Sequence, residues 1–131
     1  GGGADCNKSA ISPHVWLGNH NFAIGEGSFV NYHVRLNTAG RVTIGRNCDI
    51  GMGVSFVTQS HVIGTADRRA GDAQLAPIVV GDGCWIGAHA VILPGVRIGD
   101  GAVVAAGALV TSNCEPNMLY RGVPARGYPL A

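Results

Sequence analysis

Between Ile78 and Cys114 the apolar positions recur with a period of six. An aliphatic side chain stands at Val80, Ile86, Ile92, Ile98, Val104 and Val110, and four residues after each comes a small or apolar one: Cys84, Ala90, Val96, Ala102, Ala108 and Cys114. The position directly after the aliphatic residue is small or apolar too, at Gly81, Gly87, Leu93, Gly99 and Ala105, until Thr111 breaks the run. Two phases of the cycle are thereby marked for burial. A period of six matches neither the 3.6 of an amphipathic helix nor the alternation of an isolated strand. It suits a coil of short strands that turns a corner in every repeat, with the aliphatic residue in the interior and the small one at the tight corner. Three repeats per coil stack Val80 under Ile98, Ile86 under Val104 and Ile92 under Val110.

The same pattern starts earlier, with interruptions. Ile11 and Leu17 share the spacing, Ile24, Val30 and Leu36 continue one residue out of phase, and Ile44, Ile50 and Phe56 resume after an insertion near Ala39-Gly40. This predicts one ragged coil followed by two fuller ones. From about 58 to 77 the period vanishes into SHVIGTADRRAGDAQLAP, a polar, charged, turn-rich stretch, and a solenoid accommodates such an insertion as a loop thrown out from one corner. After Cys114 the prolines and glycines of the tail, about 115–131, argue against further coiling and predict a segment folded back over the open end as a cap.

Composition supports a solenoid. The 131 residues are expected to form a single domain spanning 1–131, and 21 glycines with 47% hydrophobic and 13% charged residues describe many corners and much buried strand. A formal net charge of +1 leaves no footprint for nucleic acid or an anionic membrane surface. No apolar run has the length of a membrane span and no signal-peptide pattern opens the chain, so a cytoplasmic protein is expected. Gly1 to Gly3, without an initiator Met, read as a remnant of expression or the scar of a trimmed N-terminus. The cysteines Cys6, Cys48, Cys84 and Cys114 include no CxxC pair, and the last three fall on the small-residue corner phase, which predicts buried, reduced thiols.

These residues carry a family resemblance. FVNYHVRL at 29–36, VTIGRNCDIGMGVSFVTQSH at 42–61, the loop with Arg68, PIVVGDGCWIGAHAVILPGVRIGDGAVVAAGALVT at 77–111 and RGVPAR at 121–126 resemble the hexapeptide-repeat acyltransferases, in particular the galactoside and maltose O-acetyltransferase branch. The resemblance implies an all-β fold, the left-handed parallel β-helix; the general preference for right-handed parallel crossovers points the other way. It also implies acetyl transfer from acetyl-CoA to a hydroxyl of a sugar or similar small acceptor, with no metal.

His61 closes the T-x-x-H segment in which the family places its general base. A neutral imidazole there takes a proton from a hydroxyl near pH 7 and returns it to a leaving thiolate. On the same resemblance Asn31, within the Phe29-Val30-Asn31-Tyr32 stretch, contacts the acceptor together with Phe29 and the loop residue Arg68. Trp85 lines the coenzyme A channel, Ala106 and Thr111 meet the pantetheine arm and nucleotide end, and Arg126 reaches the coenzyme phosphates. Asn31 also reads as a corner residue bonding its own backbone, Trp85 as a subunit contact and Arg126 as a solvated tail charge. The chain departs from the family where Asn37-Thr38-Ala39-Gly40 offers no carboxylate, where Ser112 replaces a basic residue and where Tyr128-Pro129 replaces a second tail cation.

Two other readings use the same fold. A γ-class carbonic anhydrase would hold a metal through His33, His61 and His89, although its paired histidines five apart are missing downstream of His61. A non-catalytic binding solenoid would leave His61 and its loop without a task. Exposed aromatic phases at Phe29, Tyr32 and Trp85, together with the small core of so short a solenoid, predict association, and the resemblance makes the assembly a homotrimer with active sites between subunits.

Overall fold

The computed structural model describes residues 9–12, 14–18 and 21–130, and Cys6 lies outside them. The chain winds through successive coils, each contributing one short strand to each of three faces. β1 (Ala10–Ile11) opens the solenoid; β2 (Phe22–Ile24), β3 (Phe29–Val30) and β4 (Arg35–Leu36) make the next coil, and β5 (Val42–Ile44), β6 (Asp49–Ile50) and β7 (Ser55–Phe56) the one after. A hairpin of β8 (Gln59–Ile63) and β9 (Ala70–Leu75) then leaves the body. β10 (Ile78–Val80), β11 (Trp85–Ile86) and β12 (Val91–Ile92) resume the winding, followed by β13 (Arg97–Ile98), β14 (Val103–Val104) and β15 (Leu109–Val110). β16 (Met118–Gly122) and β17 (Ala125–Pro129) finish the chain.

Strands of one face pair parallel and in register. Face one is β2-β5-β10-β13, face two runs β1-β3-β6-β11-β14-β16, and face three is β4-β7-β12-β15. The expected stacks are present: Val80 pairs with Ile98, Ile86 with Val104 and Ile92 with Val110. Upstream, Ile24, Val30, Leu36, Ile44, Ile50 and Phe56 lie within the same buried core. A strand exposes alternate residues to opposite sides, so each aliphatic residue points inward while its predecessor faces solvent or a neighbour.

The corners explain the small residues. Where face two turns into face three the backbone repeatedly enters the left-handed region, with φ of 61° at His14, 60° at His33, 69° at Gly53, 61° at His89 and 73° at Gly107. A Cβ on Gly53 would run into the His89 ring, so glycine at this rung leaves the space that the next rung's side chain occupies. Histidine is among the residues that tolerate this conformation, which gives His33 and His89 a structural place.

Three expectations need correction. The stretch from 58 to 77 is not an irregular loop: it is an antiparallel hairpin in which Ser60 pairs with Gln74 and His61 with Ala73, and only 64–69 form its tip. Nearly every one of its side chains is exposed on both faces, so no hydrophobic period marked it. Cys114 does not occupy a corner phase. The turn from Val110 is two residues shorter than the turn from Ile92 to Ile98, which brings Cys114 into register with Ile98 in the aliphatic column. The tail does continue the winding before it folds back: β16 pairs parallel with β14, and β17 then returns antiparallel. Tyr120 ends the column above Val104, is 9% exposed, and accepts the Glu115 N–H on its hydroxyl at 2.7 Å, closing the end of the core.

Cys48, Cys84 and Cys114 are buried and free. Cys48 donates its thiol to the Gly81 carbonyl at 3.0 Å and Cys84 to the Gly99 carbonyl at 3.1 Å, each bridging to the next coil. Burial pushes the Cys114 thiol up to about 11.

Candidate active site

The hairpin is rooted by a buried hydroxyl. Thr58, fully buried, donates to the Asn37 carbonyl at 2.7 Å and accepts the Gly40 N–H at 2.8 Å, and Ala76 N–H closes the root on the Thr58 carbonyl at 2.9 Å. The insertion at Ala39-Gly40 thus serves as the socket for the start of the T-x-x-H segment. Three residues further, on β8, His61 is exposed and its Nδ1 lies 2.9 Å from the Gly71 carbonyl on β9. A carbonyl only accepts, so Nδ1 carries the proton and Nε2 presents its lone pair. A β-bulge between His61 and Ile63 follows directly, and such irregularities re-aim side chains.

A hollow of about 650 Å³ runs along face two and its corner into face three, lined by residues that include Asn31, Met52, Trp85, Ala88, Ala105 and Ala106. Its floor is low because the corner residues are glycine and alanine, and Trp85, 59% exposed, forms one wall. The Asn31 side-chain oxygen accepts the Tyr32 N–H at 2.7 Å, as its corner reading required, and this leaves the amide NH₂ available to a ligand. Both readings of Asn31 are therefore compatible.

The structure brings Asn31, Trp85 and Ala106 together, with Phe29 on the same face two rungs from Trp85. It does not bring the rest to them within one chain. His61 is not among the residues around the hollow; Arg68 sits at the hairpin tip, its N–H on the Thr65 carbonyl at 3.0 Å. Thr111 is exposed at the other end of face three, past β15, and Arg126 lies on β17. A second hollow of about 580 Å³, lined by His14, Trp16, His33, Arg35 and Asn37 among others, holds none of the residues expected for acetyl transfer.

Sequence reading missed three features around the candidate residues. Gly71 supplies the carbonyl that fixes the His61 tautomer, a backbone role that no side-chain pattern reveals. Thr58 roots the hairpin through a burial that its hydroxyl conceals. Arg121 pairs across the last hairpin with Arg126, and its guanidinium lies 4.3 Å from the centre of the Tyr128 ring. A second cation thus stands beside Arg126 on the opposite strand. Among the described residues no group of three His, Cys, Asp or Glu is placed to hold a metal ion; His33 and His89 stand at the coil corner and His61 on the hairpin.

Residues 77–112 match the family model described as bacterial transferase hexapeptide (six repeats), and residues 42–58 match the hexapeptide repeat of succinyl-transferase. The galactoside O-acetyltransferase of Escherichia coli is 36% identical over 117 residues, 88% of this chain and 58% of that protein. A hexapeptide-repeat acetyltransferase from Vibrio cholerae superposes with a TM-score of 0.87 at 35% identity, over 92% of this chain and 69% of the other. That protein is also known in complex with acetyl coenzyme A, with a TM-score of 0.79 at 34% identity, over 91% and 62% of the two chains. A maltose O-acetyltransferase from Clostridium difficile gives a TM-score of 0.88 at 30% identity, over 98% and 68%. The chain spans between 51% and 58% of the length of the curated relatives that it matches.

Proposed function

The chain belongs to the hexapeptide-repeat acyltransferase family, and from that membership and the site geometry we propose that it transfers an acetyl group from acetyl-CoA to a hydroxyl of a sugar or similar small acceptor, with His61 as general base. The observation that carries this reading is the bond from His61 Nδ1–H to the Gly71 carbonyl, which leaves Nε2 as a proton acceptor on an exposed edge. Nε2 takes the hydroxyl proton as the acceptor oxygen bonds to the thioester carbonyl carbon. The imidazolium then returns that proton to the sulfur as the carbon–sulfur bond breaks, so His61 ends as it began. A backbone amide beside the hollow stabilises the tetrahedral oxyanion.

The low corner floor suits an extended pantetheine arm, with Trp85 and Ala106 flanking it and Asn31 offering its NH₂ to the acceptor. Arg126 and Arg121, adjacent across the tail hairpin, suit phosphates. The reading assigns Thr111 to the coenzyme side and Arg68 and Phe29 to the acceptor side. Because His61 and the hollow are apart in one chain, the site is completed by a neighbouring copy in a homotrimer. The hairpin supports this by exposing Val62, Ile63 and Leu75, with Ile63 82% exposed. Three free buried thiols and an acetyl-CoA donor are in keeping with the cytoplasm.

The test is free-thiol release from acetyl-CoA across a panel of sugar and small hydroxyl acceptors, with sedimentation run in parallel. The reading expects hydroxyl-dependent release, an alkali-labile acetyl ester as product, and a trimer. Absence of release with every hydroxyl acceptor overturns the activity, and a stable, fully active monomer overturns the shared site.

A further inference from the structure

Face two carries a stack whose two aromatic members the proposed transfer already uses, but whose central carboxylate it does not. Phe29 stands in register opposite Asp49, and Asp49 opposite Trp85. Each is the outward residue of its strand, since the following Val30, Ile50 and Ile86 are buried. Adjacent strands lie about 4.8 Å apart, which places the carboxylate midway between two aromatic side chains roughly 10 Å from each other. Phe29 is 38% and Trp85 59% exposed, and Asp49 is exposed between them. Among the described residues the Asp49 carboxylate has neither an ion-pair nor a hydrogen-bond partner, its backbone N–H alone being engaged, with the Cys84 carbonyl.

A carboxylate gains nothing from aromatic faces, which carry partial negative charge. A cation satisfies all three groups at once. Seated over Asp49, it lies within the ~6 Å of both ring centroids at which cation–π attraction operates, and it touches the carboxylate. The rings supply no oxygen, so a hydrated metal ion finds one ligand there. An amino or alkylated ammonium group, by contrast, matches both the charge and the apolar walls. Trp85 belongs equally to the stack and to the hollow that holds Asn31, which sets the cation at the edge of the candidate acceptor site.

We propose that Phe29, Asp49 and Trp85 form an ammonium-binding subsite, and that the acceptor is a hydroxyl compound bearing an amino or quaternary ammonium group. The hydroxyl half of this statement rests on the transfer reading above; the cation half rests on the stack alone.

Two measurements on the full chain separate them. Tetramethylammonium chloride is titrated against tryptophan fluorescence in a Trp16→Phe background, which leaves Trp85 as the single reporter of the two tryptophans. Thiol release is then compared for two isosteric galactosides, one with a 2-(trimethylammonio)ethyl and one with a 3,3-dimethylbutyl aglycone, neither of which can be N-acetylated. The subsite predicts saturable quenching that sodium chloride at equal ionic strength does not give, weakened at least ten-fold by Asp49→Asn. It also predicts a ten-fold or greater kcat/KM preference for the cationic glycoside, reduced to about two-fold or less in Asp49→Asn with the neutral glycoside unaffected and sedimentation unchanged. Quenching that depends on Asp49 with no thiol release from either glycoside keeps the cation site and removes the transfer reading. Equal rates for the two glycosides in both proteins, or tetramethylammonium binding indifferent to Asp49→Asn, overturns the subsite. Loss of assembly in Asp49→Asn with equal effects on both glycosides also overturns it, and assigns the carboxylate to a cation of a second copy.

Discussion

Replacing Gly71 with Ala is expected to lower turnover roughly ten- to a hundred-fold while leaving acetyl-CoA binding in place. A Cβ on Gly71 would lie 2.7 Å from the Val62 carbonyl oxygen and 3.4 Å from the Gly64 backbone. Carbon–oxygen contacts settle at about 3.3 Å or more, so the two strands of the hairpin have to part by about half an ångström. The carbonyl that holds His61 Nδ1–H belongs to the same Gly71, and the bond of 2.9 Å then stretches to the limit of hydrogen bonding. The imidazole loses both its tautomer and its aim. Misplacement of a reacting group by around an ångström is worth about a hundred-fold, so half that distance gives the lower figure, about 1.4 kcal/mol. Initial-rate kinetics read the split between kcat and the KM for acetyl-CoA. ¹⁵N NMR of His61 reads the tautomer, Nδ1–H in the parent and Nε2–H in the variant. A Gly71→Ala protein with undiminished kcat, or a parent protein with the proton on Nε2, refutes the reasoning.

Other consequences follow from the core and the hollow. Ile86 is fully buried between Ile50 and Val104 in a column whose rungs are tied by backbone bonds and do not collapse, so Ile86→Ala costs about 2–5 kcal/mol in urea unfolding; Ile11→Ala, on the half-buried first rung, costs under half as much. The Cys114 thiol is raised from 9.0 to about 11 by burial. Its contribution to stability is therefore whole below pH 9 and is lost as pH rises toward 11, a decline that Cys114→Val flattens in unfolding titrations. Ala106→Trp places an indole in the hollow and raises the KM for acetyl-CoA at least ten-fold, with the unfolding midpoint unchanged because Ala106 is exposed.

What the sequence made legible was whatever burial repeats. The aliphatic columns from Ile24 to Val110 could be assigned because the interior accepts little else, and their register followed from counting. The hairpin escaped because Gln59–Ile63 and Ala70–Leu75 expose both faces, and strand pairing without burial leaves no apolar period. Cys114 was placed in the wrong column because a turn shortened by two residues is invisible until hydrogen bonds fix the register. His33 and His89 read as possible ligands because a left-handed corner has no sequence mark beyond glycine. For the candidate site, His61, Asn31 and Trp85 are proposed on resemblance. The Gly71 carbonyl and the Phe29-Asp49-Trp85 stack became visible only when hairpin and coils were superimposed in space.

The most direct test of the account is the turnover of His61→Ala measured beside its affinity for acetyl-CoA. With Nε2 as the base, thiol release falls by about 10²–10⁴, the residual rate loses its dependence on imidazole ionisation, and acetyl-CoA binds as tightly as to the parent. A His61→Ala protein that turns over at close to the parent rate contradicts the mechanism, whatever acceptor is used.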